Sequence, residues 1–266
     1  MNLPDPSAAN RAVVTGASSG IGTALAGALA RRGYHLVLIA RRADRLQELA
    51  DRLAREHGIE AEVRACDLGD RAAREELARE LSGREIAVLC NNAGFATYGP
   101  LSAADPARER EEVELNVAAV HDLTQAVLPG MLDRKAGGIL ITGSTAGNQP
   151  GPLNATYAAC KAFANTLAES LHTELKGTGV GCTLLAPGPV RTEFAEVAEV
   201  SKLTDMLPEA LLVSADRVAE QAVAGLADGK RRVVPGPLAK AQTLLGTYGP
   251  RGLSGPVLRG AYRRAG

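Results

Sequence analysis

The stretch AVVTGASSGIG, residues 12–22, decides the fold of this chain. An apolar run comes first, three glycines follow it, and a segment of small and apolar residues at helical spacing follows the glycines. Glycines allow a sharp turn and a close approach to a pyrophosphate, and the start of the next helix offers N–H groups and a partial positive charge. The stretch therefore predicts a strand, a phosphate-binding turn and a helix.

Short aliphatic runs alternate with longer helical patterns on the C-terminal side of this stretch, almost to the end of the chain. The predicted strands are residues 12–15, 35–40, 62–66, 87–91, 138–142, 181–185 and 231–234. The predicted helices are residues 21–32, 43–57, 70–81, 106–128, 155–176, 215–227 after an N-cap at Ser214, and 238–245. Such alternation is typical of βαβ units. We expect an α/β fold, a single-domain doubly wound (Rossmann-type) parallel sheet of about seven strands with helices on both faces.

The 266 residues contain no internal repeat and no linker, which favours one domain. We expect residues 1–10 to be a flexible N-terminus and residues 11–235 to be a dinucleotide-binding catalytic domain, with a substrate lid at about 189–213. Residues 236–266 hold seven glycines, several basic residues and no acid. This basic C-terminal extension is interpreted either as a solvated segment packed on the core or as a surface that attracts an anionic substrate or membrane.

Composition excludes several classes of protein. The 30 basic and 30 acidic residues balance, whereas a nucleic-acid binder normally carries a basic excess. The longest aliphatic runs fall far short of the roughly 20 residues of a membrane-spanning helix. The N-terminus lacks the basic start and apolar centre of a secretory signal, so we expect a cytoplasmic protein. The four cysteines and four histidines show no ligand spacing, so no metal site is expected, and the cysteines are interpreted as reduced core residues.

Several motifs occur in a fixed order. They are T-G-x-x-x-G-x-G at 15–22, N-N-A-G at 91–94, Asn116, Ser144, Y-x-x-x-K at 157–161 and P-G at 187–188. With these motifs in this order, the chain resembles the short-chain dehydrogenase/reductase family over residues 12 to about 192. The resemblance implies an oxidoreductase that moves a hydride between a nicotinamide cofactor and a carbonyl or alcohol carbon.

The catalytic residues implied by the resemblance are Asn116, Ser144, Tyr157 and Lys161. Tyr157 and Lys161 are four residues apart, so they share one face of a helix, and a nearby ammonium favours the phenolate. By the resemblance, Tyr157 is the general acid in carbonyl reduction and the base in alcohol oxidation. Ser144 positions the reacting oxygen, Lys161 also binds the nicotinamide ribose, and Asn116 holds a water that links Lys161 to solvent.

The cofactor is expected to be NADP(H) rather than NAD(H). The second strand ends at Ala40, where NAD-preferring relatives carry an acid, and Arg41 follows it. Ser19 stands where many NADP-preferring relatives have a second basic residue, so discrimination rests mainly on Arg41; a solvated helix entry is the alternative interpretation of Arg41 and Arg42. The expected cofactor-binding residues are Gly16, Ser18, Ser19, Gly20, Ile21, Gly22, Arg41, Asp67, Leu68, Asn92, Ala93, Gly94, Tyr157, Lys161, Pro187, Gly188, Val190 and Thr192.

The lid segment interleaves apolar and charged residues after a strand end, where open α/β sheets bind ligands. This pattern favours a small hydrophobic ketone, aldehyde or acyl-type substrate, and a surface helix packed on the body is the alternative. By the resemblance we expect a homodimer or homotetramer built on the two long helices. A catalytically silent dinucleotide-binding sensor or scaffold is the alternative function, although such a relative would usually have lost Tyr157, Lys161 or Ser144.

Overall fold

The computed structural model describes residues 3–190 and 212–249. Its strands are β1 Arg11–Thr15, β2 Leu36–Ala40, β3 Ala61–Ala65, β4 Ile86–Asn91, β5 Gly137–Thr142, β6 Val180–Leu185 and β7 Arg232–Val233. Its helices are α1 Gly20–Ala30, α2 Ala43–His57, α3 Arg71–Ser82, α4 Pro106–Val113, α5 Ala119–Arg134, α6 Ala155–Glu174, α7 Ala215–Ala227 and α8 Pro237–Tyr248.

The seven strands form one sheet in the order β3-β2-β1-β4-β5-β6-β7, and every neighbouring pair is parallel. Val14 of β1 lies between Leu38 of β2 and Cys90 of β4. The strand order reverses between β1 and β4, and a ligand crevice forms at the carboxyl end of such a reversal. The predicted doubly wound fold is confirmed.

Side chains of successive residues on each strand point to opposite faces, which creates two cores. Ala12 and Val14 of β1 pack in the core that α1, α2 and α7 cover. Val13, between them, packs in the core that α3, α5 and α6 cover. Because both faces are covered, β2 and the middle of β1, residues 12–14, are continuously apolar rather than alternating.

The helix predicted at residues 106–128 is longer and less regular than expected. It consists of α4, a π-helical segment at Glu114–Ala118 and α5, which passes through Pro129 and ends at Arg134. Pro129 lacks an N–H group and normally ends a helix. Helical spacing of the buried residues Val127 and Met131 continues beyond it, so packing maintains the last turn.

Both ends of the described chain pack on the sheet domain. The Tyr34 hydroxyl donates to the Pro4 carbonyl over 2.8 Å, and Asn10 is buried. Helix α8 buries Ala239 and Gly246. Cys90, Cys160 and Cys182 are buried, and Cys66 is half-buried. Within residues 3–190 and 212–249, no helix is long and apolar enough to cross a bilayer, and no three potential metal ligands cluster.

Candidate active site

The carboxyl ends of the strands bring the predicted site residues to one edge of the sheet. Gly16 to Gly22 join β1 to α1, and Arg41 follows β2. Further along the edge, each after its own strand, lie Asp67 and Leu68, Asn92 to Gly94, Ser144, and Pro187 to Val190. Thr192 and most of the expected lid, residues 191–211, lie outside the described residues.

The glycine turn after β1 is held against the loop after β4. Thr15 Oγ1 accepts the N–H groups of Asn92 (2.9 Å) and Ala93 (3.0 Å), and Asn92 Nδ2 donates to the Thr15 carbonyl over 3.1 Å. A Cβ on Gly22 would lie 2.1 Å from the carbonyl oxygen of Gly16, so no larger residue fits. The turn therefore has one compact conformation.

The start of α1 fits a pyrophosphate. Its N-cap, Ser19, forms no side-chain capping bond, and the first turn contains no acidic residue. The unpaired N–H groups of a helix start and its partial positive charge favour an anion. A dinucleotide therefore fits this turn, with Gly16, Ser18, Ser19, Gly20, Ile21 and Gly22 as the residues that would hold its phosphates.

The two arginines after β2 face different neighbours. The exposed Arg41 places Nη1 3.3 Å from Glu111 Oε1 on α4. Arg42 reaches back to the glycine turn, where Nη2 donates to Ser18 Oγ (3.1 Å) and to the Ser18 carbonyl (3.3 Å). Sequence reasoning did not place Arg42 in the site, although its position beside Arg41 was a signal for it.

The loop after β3 lies beside Glu111, the carboxylate that Arg41 contacts. Asp67 Oδ1 accepts the N–H of Gly69 over 2.9 Å, and Leu68 is buried. A Cβ on Gly69 would be 3.6 Å from Glu111 Cγ, the same residue that contacts Arg41. The predicted adenosine-side residues Arg41, Asp67 and Leu68 therefore surround one region of the edge.

Tyr157 and Lys161 occupy one face of α6, as their spacing predicts. Lys161 Nζ lies 5.7 Å from the centroid of the Tyr157 ring and donates to the Thr142 carbonyl over 2.9 Å. Tyr157 is half-buried, whereas Lys161 is 4% exposed. Burial lowers the pKa of Lys161 to about 8, against the opposing attraction of neighbouring groups that include Glu112.

Ser144 begins a short 3₁₀ helix, Thr145–Asn148, and its Oγ accepts the N–H of Ala146 over 3.1 Å. The buried Asn165, one turn after Lys161 on α6, fixes the backbone of Ser144. Its Nδ2 donates to the Ser144 carbonyl (2.9 Å), and its Oδ1 accepts the Ser144 N–H (3.2 Å). Asn165 was missed because nothing in the local sequence distinguishes it from other helix residues.

Asn116 lies in the π-helical segment and is completely buried. Its Nδ2 donates to the carbonyls of Phe95 (2.8 Å) and Glu112 (3.1 Å). Its Oδ1 has no hydrogen-bond partner in the part of the chain that the structure describes. This oxygen and Lys161 Nζ both lie within 3.5 Å of the point that a Cβ on Gly94 would occupy. The Asn116 and Lys161 side chains therefore lie in the same region beside Gly94.

Helix α8 supports the Ser144 side of the site. Thr145 Oγ1 donates to Gln242 Oε1 over 3.1 Å. A Cβ on Gly188 would lie 3.0 Å from Ala239 Cβ, so the loop after β6 also packs against α8. Sequence reasoning placed this helix in a C-terminal extension and gave it no contact with the site.

The arrangement combines a phenol, a hydroxyl and a buried amine at the sheet edge that also carries the glycine turn. Tyr157, Ser144 and Lys161 come from α6 and the turn after β5, whereas the glycine turn comes from β1 and α1. Such a set can donate or accept a proton at an oxygen that is presented to a bound dinucleotide.

Comparison with known proteins agrees with the motifs. Residues 10–202 match the family model described as short chain dehydrogenase. The chain is 36% identical to the very-long-chain 3-oxoacyl-CoA reductase of Anas platyrhynchos over 195 residues. These aligned residues cover 71% of this chain and 62% of that relative. The match thus spans less than two thirds of the length of this reductase and of the reductases of the same name from Mycosarcoma maydis and Mus musculus.

Solved structures show the same likeness. A short-chain dehydrogenase from Sphingobium yanoikuyae in complex with NADPH superimposes with a TM-score of 0.81 at 32% identity, over 92% of this chain and 94% of that one. The bulky-bulky ketone specific alcohol dehydrogenase from Comamonas testosteroni gives a TM-score of 0.76 at 29% identity, over 90% and 94% of the two chains. With a family match over most of its length, the chain belongs to the short-chain dehydrogenase/reductase family.

Proposed function

We propose that this protein is an NADP(H)-dependent oxidoreductase that interconverts a carbonyl and an alcohol on a hydrophobic substrate. The observation that carries this proposal is the position of Tyr157. Its ring centroid lies 5.7 Å from Lys161 Nζ, at the sheet edge that also carries the glycine turn. A fold alone does not dictate an activity, whereas this juxtaposition provides a proton donor beside a dinucleotide crevice.

Bound NADPH would supply the hydride, and the residues of the chain handle the proton and the geometry. Tyr157 gives its hydroxyl proton to the substrate oxygen during carbonyl reduction and takes it back during alcohol oxidation. Ser144 donates a hydrogen bond to that oxygen. Asn165 holds the Ser144 backbone against α6 and so positions the hydroxyl relative to Tyr157. Lys161 favours the Tyr157 phenolate through its positive charge.

The preference for NADP(H) is argued from the end of β2. No acid stands there, since Ala40 is its last residue, and two guanidinium groups follow. Arg41 offers a solvent-exposed cation for the 2′-phosphate, and Arg42 adds a second cation against Ser18. The solved relative from Sphingobium yanoikuyae, described as in complex with NADPH, supports this choice.

The substrate class is proposed to be a hydrophobic ketone, aldehyde or acyl thioester. Relatives named very-long-chain 3-oxoacyl-CoA reductase support the acyl type, and the relative named for bulky-bulky ketones supports the ketone type.

We further propose a cytoplasmic homodimer or homotetramer. Two apolar side chains that such an assembly would cover are exposed along the α4 to α5 helix, Val113 and Leu132.

A silent dinucleotide sensor remains the alternative. The assembled Asn116, Ser144, Tyr157 and Lys161 favour the enzyme, because a sensor has no need of a proton donor beside its nucleotide. The two differ in one experiment: NADPH is mixed with a panel of hydrophobic ketones, aldehydes and 3-oxoacyl thioesters, and the reduced nicotinamide absorbance is followed. Turnover of NADPH with at least one class is expected. Nucleotide binding without turnover across the panel would favour the sensor.

A further inference from the structure

Glu112 is a completely buried carboxyl group that the mechanism above does not use. It lies on α4, and none of its surface is exposed. Its Oε2 accepts two hydrogen bonds from Thr97, from the backbone N–H (3.1 Å) and from the hydroxyl (2.6 Å). Its Oε1 has no partner among residues 3–190 and 212–249. A buried carboxyl with an unpaired oxygen is costly to folding and so points to a function.

The backbone of Glu112 is bonded to the Asn116 side of the site. Glu112 precedes Asn116 by one helical turn, and Asn116 Nδ2 donates to the Glu112 carbonyl over 3.1 Å. Asn116 Oδ1, beside Lys161 Nζ behind Gly94, likewise has no described partner. Two orphan acceptors therefore occur one helical turn apart, and one of them, Asn116 Oδ1, shares the region beside Gly94 with a buried amine that uses one N–H on Thr142. Such a group of atoms is suited to hold a mobile proton.

We propose that Glu112 is an internal proton store for this site, which exchanges a proton with Lys161 past Asn116. The proposal rests on the proposed oxidoreductase function. Glu112 acts through Lys161 and does not touch the substrate, so it is a positioning residue for the proton relay.

The proton balance in carbonyl reduction is simple. Tyr157 loses its hydroxyl proton to the substrate oxygen, and the Lys161 ammonium returns a proton to the Tyr157 oxygen. The Glu112 carboxyl group gives its proton to the neutral Lys161 amine and becomes a carboxylate. Because none of Glu112 is exposed, a proton from solvent then returns to it through Lys161. No electrons move in these transfers, and alcohol oxidation reverses them.

The charges around Glu112 suit this exchange. The titratable groups that interact electrostatically with it are Lys161 and Cys160 on α6 and Glu109 on its own helix. Burial raises the pKa of Glu112 above its usual value, and the Thr97 hydrogen bonds oppose this. Burial also lowers the pKa of Lys161 to about 8. The two pKa values move towards each other, so a proton passes between the groups with less free-energy cost than between exposed ones.

A purely structural role makes a different prediction. Glu112 would then only anchor the Thr97 segment to α4, and a neutral amide would do so equally well. Glu112→Gln keeps an acceptor oxygen for Thr97 and cannot store a proton, whereas Glu112→Asp keeps an ionisable carboxyl. Glu48→Gln, an exposed carboxylate on α2, is the matched control.

The first readout needs no nucleotide: the Lys161 ammonium signal is titrated by NMR in the wild type and the variants. We expect two coupled steps in the wild type and one step in Glu112→Gln, displaced by about one pH unit to lower pH because the attracting carboxylate is gone. Glu112→Asp should restore part of the two-step curve. Identical curves for wild type and Glu112→Gln would overturn the proposal. If Glu112→Gln does not fold, a titration curve with a single step in the wild type would overturn it instead.

The second readout is the pH profile of kcat. We expect Glu112→Gln to lower kcat about tenfold at neutral pH with KM little changed and to move the profile, and Glu48→Gln to match the wild type. An unchanged profile would leave Glu112 an anchor for Thr97. If the wild type itself turns over no substrate, the proposed function fails, and the NMR titration still shows whether Glu112 and Lys161 share a proton.

Discussion

Asn165 clamps the backbone of Ser144 from both sides, with its Nδ2 on the Ser144 carbonyl at 2.9 Å and its Oδ1 on the Ser144 N–H at 3.2 Å. The clamp joins the turn after β5 to the helix that carries Tyr157 and Lys161. The position of Ser144 relative to Tyr157 and Lys161 is thus set by Asn165, a buried residue of the same helix.

Removal of this clamp should impair stability and turnover together. Asn165→Ala leaves the buried Ser144 N–H unpaired, whereas the Ser144 carbonyl keeps its hydrogen bond from the Gly147 N–H (3.2 Å), so the free energy of unfolding should fall by about 2 kcal/mol. Displacement of Ser144 should lower kcat about tenfold to a hundredfold, with a smaller change in KM. Urea unfolding and steady-state kinetics measure both effects. Thr166→Ala, an exposed neighbour on α6, is the control, and wild-type values for Asn165→Ala would refute the clamp.

The fold was predictable from residues 12–22 and from the strand pattern, because apolar runs and a glycine turn are local signals. The shared helix face of Tyr157 and Lys161 was predictable for the same reason, because the two are four residues apart, whereas their proposed catalytic roles came from the family resemblance. Asn165, Gln242 and Glu112 were not predictable. Their contacts with Ser144, Thr145 and Thr97 join segments that are distant in sequence, and no periodicity or spacing marks such a contact.

The end of the helix at Arg134 shows a second limit of sequence reasoning. Pro129 indicates a helix end when only the backbone is considered, yet Val127 and Met131 are buried on either side of it. The packing of these side chains decides where the helix ends, and that packing depends on the strands beneath it. The π-helical segment around Asn116 has no sequence signal for a similar reason.

The glycine turn should not tolerate a methyl group at Gly22. A Cβ there would lie 2.1 Å from the Gly16 carbonyl oxygen, so Gly22→Ala must displace the turn. We expect NADPH affinity to fall more than tenfold because the phosphate contacts depend on that turn. Isothermal titration with NADPH measures this. Gly83→Ala, after α3, where φ is −85° and a Cβ would meet no atom nearer than 3.7 Å, is the control for added bulk. Wild-type affinity in Gly22→Ala would contradict the turn as the phosphate site.

Arg41 should discriminate between the two nicotinamide dinucleotides. Arg41→Ala removes a cation at the end of β2, and we expect the Kd of NADPH to rise about tenfold while that of NADH stays nearly constant. Fluorescence titration of each nucleotide provides the comparison. Arg55→Ala, an exposed arginine on α2, controls for the loss of one surface charge. Equal losses for both nucleotides would remove the argument for NADP(H).

The buried ammonium of Lys161 should lower the free energy of unfolding, and the size of this effect should depend on pH. Its pKa is lowered from 10.5 to about 8 in the folded protein, so the unfolded chain binds more protons between these values and wild-type stability rises with pH there. Lys161→Met should raise the free energy of unfolding at pH 7 by about 2 kcal/mol after the lost hydrogen bond to Thr142 is deducted.

That gain should shrink as the pH rises from 8 towards 10.5. Denaturant unfolding at several pH values measures it, and Lys176→Met, an exposed lysine after α6, should show no such dependence. A gain independent of pH would mean that the buried ammonium is not its source.

The proton donated by Tyr157 is the centre of this account, and single-turnover oxidation of NADPH tests it most directly. Wild type and Tyr157→Phe are each mixed with NADPH and the best substrate of the panel, after calorimetry has shown that both bind NADPH equally well. We expect the rate of nicotinamide oxidation to fall by about 10³-fold in Tyr157→Phe, since the substrate oxygen then has no positioned proton donor. An undiminished rate in a folded, nucleotide-binding Tyr157→Phe protein would contradict the mechanism.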